Sequence, residues 1–540
     1  MSSTPSDTLQ SALTHARTGN LAEAERLCEN LLAQPEVEPE ARHLLGVIRN
    51  IQSRFAEAEP LLRQAVAEQP AIAKYHSNLG NALWGLRRIE EAEVCYRHAL
   101  ALDPGFDDAR VNLAKLLHVV EDRDAAIAEY QQVVRNNPQD ITHYPVLAFL
   151  LESTNRLSEA EAVAKAGLEL DPGNATINLA MAICERSAGK LQEAMQRFET
   201  IDPSTLDTRY AANFYCERGL IHDRFERIEA AFADFATANS LQAQDAQQRG
   251  FDKARFHDEL DRVARLDVSW LGDRPPVPAE PPAPVFLMGF PRSGTTLLDQ
   301  ILDSHPNIQT MEEKPVLNRL CNDIDVLIQG KPDGLKGLSS DQLARLRHSY
   351  FQYVADFIEL RPGNLLIDKF PLNITRLPFI LRVFPDARFI LALRHPCDCV
   401  LSCYMHLFGP NDAMANFYNL EDTATLYAGV MGLWRRWAEM LPLHYHRVYY
   451  EHLVQDLPGE IKPLLDFLGL DWREEMARPH EHAARRGYIN TPSRTQVMQP
   501  IYKRASGRWR RYLPYLGGVM ATLQPYIEYF GYDREEGGGP

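Results

Sequence analysis

Alanine recurs at one fixed step through the N-terminal part of the chain. Ala24, Ala58, Ala92, Ala126, Ala160 and Ala194 stand 34 residues apart, and Pro70, Pro104, Pro138 and Pro172 keep the same step, as do Leu79, Leu113 and Leu147. A unit this short cannot bury its apolar face alone, so it must stack on copies of itself. Within the unit 73–106 the residue types read as helix, turn, helix. Gly80 and Ala92 are small enough to let the two helices approach, Tyr96 fills the space between neighbours, and Pro104 stops the second helix. After Ala194 the step lengthens to 37, reaching Ala231.

The set Leu79-Gly80, Leu83, Ala92, Tyr96, Ala99 and Pro104 resembles a tetratricopeptide repeat (TPR). Residues 5–240 are similar to a solenoid of about six or seven such repeats, the last ones degenerate. The resemblance implies a concave face that binds a protein or peptide ligand. A spacer or dimerisation surface is the alternative use of such an array. His43, His76 and His98 read as ordinary solenoid residues.

A second stretch carries chemistry. Val285-Phe-Leu-Met is a short apolar run suited to a buried strand. Gly289-Phe-Pro-Arg-Ser-Gly294 is a turn with glycine at each end, and Leu297, Leu298, Ile301 and Leu302 follow at helical spacing. Strand, glycine turn and helix aim several backbone N–H groups and a helix N-terminus at one anion. The spacing Gly289-x-x-x-x-Gly294 is that of a phosphate loop. A nucleotide-hydrolysing loop has Lys next; here Thr295-Thr296 follows, and the cation sits inside the loop as Arg292. That argues against a kinase or triphosphatase.

Phe-Pro-Arg-Ser-Gly-Thr-Thr-Leu resembles the 5′-phosphosulfate loop of sulfotransferases that use 3′-phosphoadenosine 5′-phosphosulfate (PAPS). The resemblance covers about residues 285–515 and implies that Arg292, Ser293, Gly294, Thr295 and Thr296 hold the 5′-phosphosulfate. Thr310-Met-Glu-Glu-Lys-Pro315 resembles the segment of tyrosylprotein sulfotransferases whose second Glu is the catalytic base. The match falls on Glu313, with Glu312 as fallback. Those enzymes carry an arginine two residues later, where this chain has Pro315. Lys369, at the end of the run Leu365–Ile367, matches a lysine that contacts the sulfate and leaving phosphate. Arg394 and Ser402, eight residues apart, match the 3′-phosphate motif. Tyr450 matches a tyrosine beside the nucleotide. Ser493 and Arg508 match the closing segment over the 3′-phosphate, where Arg485, Arg486, Arg494, Lys503, Arg504, Arg510 and Arg511 add to a basic surface or anion lid.

The remaining observations bound the reading. A net charge of −16 argues against a nucleic-acid binder, and 45% hydrophobic content is ample for a core. The polar start and the lack of a long apolar run predict no leader, no membrane span and a cytoplasmic protein. The eight cysteines are expected as reduced, buried thiols. Cys397-x-Cys399-x-x-x-Cys403, His444-x-His446 and His480-x-His482 match no zinc spacing, so no metal is expected. Six prolines within 275–284 predict a stiff linker.

The expected architecture is α + α/β: an all-α TPR solenoid (5–240), a helical segment and Pro-rich linker (241–284), then a P-loop-like α/β sulfotransferase domain with a central parallel sheet (285–540). The expected function is sulfuryl transfer from PAPS to a hydroxyl acceptor, leaving adenosine 3′,5′-bisphosphate (PAP). The repeats would bind a protein or the substrate, and the resemblance allows a homodimer. The rival reading is a TPR scaffold with a catalytically inactive nucleotide domain.

Overall fold

The computed structural model describes residues 4–34, 37–272, 281–486 and 498–532. It divides into two compact units, Met1–Ala188 and Gly189–Pro540.

The first unit is a run of antiparallel helix pairs, from Pro5–Arg17 to Ala175–Ser187. The periodic alanines Ala24, Ala58, Ala92, Ala126 and Ala160 are all fully buried. A Cβ on Gly80 would sit 2.7 Å from the Tyr96 ring, so glycine there sets the closeness of the helix pair. Tyr96 is itself buried and donates its hydroxyl to Asn81 Oδ1 at 2.7 Å. The turns inside the pairs share one conformation. Gly19, Ser53, Arg87, Glu121 and Asn155 have φ between 60° and 80°. The residue after each turn closes it with a hydrogen bond five residues back, as Arg88 N–H does to the Leu83 carbonyl at 2.9 Å. This left-handed cap repeats at the 34-residue step, yet four of its five residues are not glycine.

The second unit is built on a five-stranded sheet, all parallel, in the order β2-β3-β1-β4-β5. Its strands are β1 (Val285–Gly289), β2 (Ile308–Glu312), β3 (Leu365–Lys369), β4 (Arg388–Leu393) and β5 (His444–Tyr449). Val285, Phe286, Leu287 and Met288 are completely buried, as a strand covered on both faces requires. In such a sheet the ligand crevice lies beyond the carboxyl ends of the strands, where the strand order reverses about β1. Each of the five strands ends on a residue or turn singled out by sequence.

The division falls earlier than the proline-rich segment, of which residues 273–280 lie outside the description. Helices Thr208–Arg224, Ile228–Gln248 and Lys253–Ala264 group with the sheet rather than with the preceding repeats. Ala231, Phe235, Leu260 and Val263 share one buried core with Phe286 and Met288. Phe232 stacks on Tyr404 and Tyr515, and Asn239 Nδ2 donates to the Tyr404 carbonyl at 2.8 Å. The repeat-like sequence continues past residue 188, but its apolar face turns to a different neighbour.

The eight cysteines are all free thiols, seven of them buried and Cys95 half-buried. Among the described residues no helix is long and apolar enough to cross a membrane, and no cluster of three or more His, Cys, Asp or Glu side chains suits a metal ion. His482, in one of the His-x-His pairs, meets Asp303 Oδ2 at 2.8 Å instead.

Candidate active site

The loop after β1 is shaped by two left-handed residues, Arg292 at φ 69° and Gly294 at φ 97°. Such alternation curls successive N–H groups towards one point, and the helix Thr295–Asp303 begins there with its first N–H groups lacking intrahelical acceptors. Glycine is required at both ends. A Cβ on Gly289 would lie 2.5 Å from the Ala392 carbonyl oxygen, and one on Gly294 would lie 2.8 Å from Tyr450 Cδ2. Ser293, Thr295 and Thr296 are buried at this turn, and the Ser293 hydroxyl has no hydrogen-bond partner among the described residues.

Arg292 does not lie along its own loop. Its Nε donates to Ser402 Oγ at 3.0 Å, and its Nη2 meets His406 Nε2 at 3.2 Å. His406 Nδ1 faces the Ser402 carbonyl at 2.8 Å, which puts the ring hydrogen on Nδ1 and leaves Nε2 to accept from Arg292. The loop arginine and Ser402, which the sequence resemblance assigns to a different phosphate, are therefore neighbours. Burial pulls the Arg292 guanidinium down to about 10, and the nearby Arg394 and Arg508 act in the same direction.

Arg394 leaves the end of β4 and is clamped. It donates through Nη1 to the Arg292 carbonyl at 3.1 Å and through Nη2 to the Ala505 carbonyl, and its guanidinium lies 4.9 Å from the centre of the Tyr450 ring. Burial alone would lower its pKa, but Asp398 and Tyr450 hold it above its ordinary value. Arg394 Nε remains buried without a hydrogen-bond partner among the described residues. Tyr450 is the first residue of a helix, Tyr450–Gln455, rather than part of β5.

Asp398 was not singled out as a site residue by sequence reasoning. Its two carboxylate oxygens accept from the backbone N–H groups of Gly507 (2.7 Å) and Trp509 (2.8 Å). Gly507 has φ 69°, so this grip fixes a tight turn that brings the buried Arg508 towards Arg292 and Arg394. Trp509 stacks on His395 at 4.7 Å, and burial holds that imidazole down at about 4, hence neutral. The sequence signal for Asp398 was its place one helical turn after Arg394. Ser493 lies outside the described residues, as does Arg494; nothing is described of the side chains of Arg485 and Arg486.

The other pole of the site sits across β2 and β3. Glu312 pairs with Lys369 in the strand register. Lys369 Nζ donates to Glu313 Oε1 at 2.7 Å and to Glu312 Oε1 at 3.2 Å. Lys369 is fully buried, which alone would favour its neutral form, but Glu313 and Glu312 raise its pKa, so the ammonium stays charged. Glu313 stands just past β2 at φ 49°, with its carboxylate partly open to solvent. Glu312 is thus the last residue of β2, and Glu313 is the first beyond it. The structure brings Glu313 to Lys369, and Arg292 to Ser402 and Arg394.

Residues 284–474 match the sulfotransferase family model, and residues 9–71, 73–106 and 151–213 match tetratricopeptide-repeat models. An uncharacterized protein of Aquifex aeolicus (strain VF5) is 25% identical over 390 residues, 70% of this chain and 49% of its own length. The chain thus spans about half of that relative. Protein-tyrosine sulfotransferase 1 of Danio rerio is 25% identical over 271 residues, 46% of this chain and 72% of its own. A tetratricopeptide repeat protein from Parabacteroides merdae ATCC 43184 aligns with 44% of this chain and 93% of its own at a TM-score of 0.36 and 20% identity. The chain joins segments that match tetratricopeptide-repeat models to a region that matches the sulfotransferase family model.

Proposed function

We propose that this protein transfers a sulfuryl group from PAPS to a hydroxyl acceptor. The observation that carries the reading is the buried convergence of three arginines, Arg292, Arg394 and Arg508, at the phosphate loop. Three guanidiniums buried near one another repel unless anions sit between them. The Ser293 hydroxyl, Arg394 Nε and Arg508 Nε are buried without hydrogen-bond partners among the described residues, which suits a ligand with two separate anionic groups. The residues fit PAPS on that count.

In this reading the loop from Arg292 to Thr296 holds the 5′-phosphosulfate through its N–H groups and hydroxyls. Arg394, Ser402 and Arg508 hold the 3′-phosphate, with Tyr450 beneath Arg394. When bound, the nucleotide supplies an activated sulfuryl group and a phosphate leaving group. Lys369 keeps a positive charge at the crevice end of β3, where negative charge develops on the leaving oxygen. Glu313 Oε accepts the proton of the acceptor hydroxyl as it attacks. No metal is needed for these roles, since fixed cations supply the charge.

The repeats would select or present the acceptor through a protein or peptide contact. Pro315, where the resembling tyrosylprotein enzymes carry arginine, weighs against a protein tyrosine as the acceptor.

Calorimetric binding of PAP and of ATP, each with magnesium and with chelator, tests the reading. Tight PAP binding that ignores magnesium, with weak ATP binding, is the expected result. Preference for magnesium-ATP would overturn the 3′-phosphate assignment, and binding of neither would leave the scaffold reading.

A further inference from the structure

We propose that Asp223, on a helix of the repeat-like series, is a positioning residue for the 3′-phosphate end of the site. The inference rests on the PAPS reading above. Asp223 is the penultimate residue of the helix Thr208–Arg224, which sequence assigned to the solenoid and which the fold groups with the sheet. Its carboxylate is buried, and among the described residues Arg508, Arg511 and Tyr512 approach it. Tyr512 donates its hydroxyl to Asp223 Oδ1 at 2.9 Å, and Arg511 Nη2 donates to the same oxygen at 3.2 Å. Arg508 Nε lies 3.9 Å from Asp223 Oδ2, close enough for charge attraction and too far for a hydrogen bond.

The turn 507–509 is therefore held by two carboxylates with different tasks. Asp398 grips its backbone through Gly507 and Trp509. Asp223 stands behind its side chain. A buried guanidinium close to two others would swing to solvent without a nearby negative charge. Asp223 supplies that charge without capturing the Nε donor, which has no hydrogen-bond partner among the described residues. Arg508 is thus kept inside, charged, with a donor left for an incoming phosphate. A helix of the repeat series becomes part of the nucleotide site, although Asp223 touches no ligand itself.

The test compares PAP with adenosine 5′-phosphate, which lacks the 3′-phosphate, by calorimetry on the full chain. Asp223→Asn should lower PAP affinity about tenfold and leave adenosine 5′-phosphate unchanged, because only the 3′-phosphate uses Arg508. Tyr512→Phe removes a hydrogen bond to the same carboxylate but keeps its charge, so it should retain the wild-type ratio of the two affinities. Asp223→Glu keeps the charge on a longer arm and should fall between; its ratio decides the matter if the Asn variant does not fold. An unchanged ratio in the Asp223 variants would overturn the proposal, as would equal weakening of both nucleotides by Asp223→Asn and Tyr512→Phe. A wild-type protein with no preference for PAP would sink the nucleotide reading first, and this one with it.

Discussion

Glu313 and Lys369 are joined twice. The Glu313 backbone N–H donates to the Lys369 carbonyl at 2.7 Å, and Lys369 Nζ donates to the Glu313 carboxylate at 2.7 Å. The first bond extends the β2–β3 ladder one residue beyond Glu312, and the second uses the left-handed φ of Glu313 to turn its side chain back over the strand ends. The proposed base and the proposed charge stabiliser are thereby held in one fixed pair at the crevice.

This pairing predicts separable kinetics. Glu313→Gln should cut kcat by about 10²–10⁴-fold while leaving PAP affinity within a few-fold, because the amide cannot take a proton yet still accepts a hydrogen bond from Lys369. Lys369→Met should lower kcat by about 10²–10³-fold and also free Glu313 from its partner. Turnover is measured as PAP release once an acceptor is in hand, and PAP affinity by calorimetry. Full turnover in the Gln variant would exclude Glu313 as the base.

The loop predicts a strict glycine requirement. Gly294→Ala places a Cβ 2.8 Å from Tyr450 Cδ2 at a φ of 97°, where an L-residue is strained by roughly 1–2 kcal/mol. PAP affinity should drop by at least tenfold, since Tyr450 also underlies Arg394. Undiminished PAP binding would mean that the loop does not hold the ligand.

Asp368 predicts a pH dependence of stability. It is buried beside Lys369, accepts from the Tyr350 hydroxyl at 2.7 Å, and burial pushes its carboxyl up to about 7. The folded state thus holds a proton that the unfolded chain releases near pH 4. Its contribution is complete below that pH and is lost as pH rises through about 7, by up to about 4 kcal/mol. Denaturant titrations from pH 5 to pH 8 should lose stability in the wild type. Asp368→Asn should flatten that slope, and an unchanged slope would refute the assignment.

The repeat turns predict a gain in stability. Arg87 occupies a left-handed turn at φ 63°, where Gly19 stands in an equivalent turn, and it is exposed. Arg87→Gly relieves about 1–2 kcal/mol of backbone strain and loses about 0.5–1 kcal/mol to unfolded-state entropy, for a net gain below about 1.5 kcal/mol. Thermal unfolding monitored by circular dichroism should shift upward, and a fall would contradict it.

The division of the chain predicts where it can be cut. A fragment 189–540 keeps helices 208–264 on the sheet and should fold. A fragment 271–540 strips Ala231, Phe235, Leu260 and Val263 from the core that they share with Phe286 and Met288, and it should aggregate. Equal solubility of the two fragments would show that these helices are dispensable.

Local features of this protein were legible in its sequence. The 34-residue step reports helix pairs because each pair repeats the same contacts, and buried alanines and Gly80 follow from them. The loop between Gly289 and Gly294, Lys369 at the end of β3 and Arg394 at the end of β4 were visible because a strand end and its turn are contiguous. Tertiary structure alone decided which distant segments meet. Asp223 reaches Tyr512, Asp398 holds Gly507 and Trp509, and Arg292 turns to Ser402 rather than along its own loop. It also decided that the helices after residue 189 join the sheet. No period or spacing records such pairings, because they depend on which apolar faces are buried together, and that is settled only when the whole core closes.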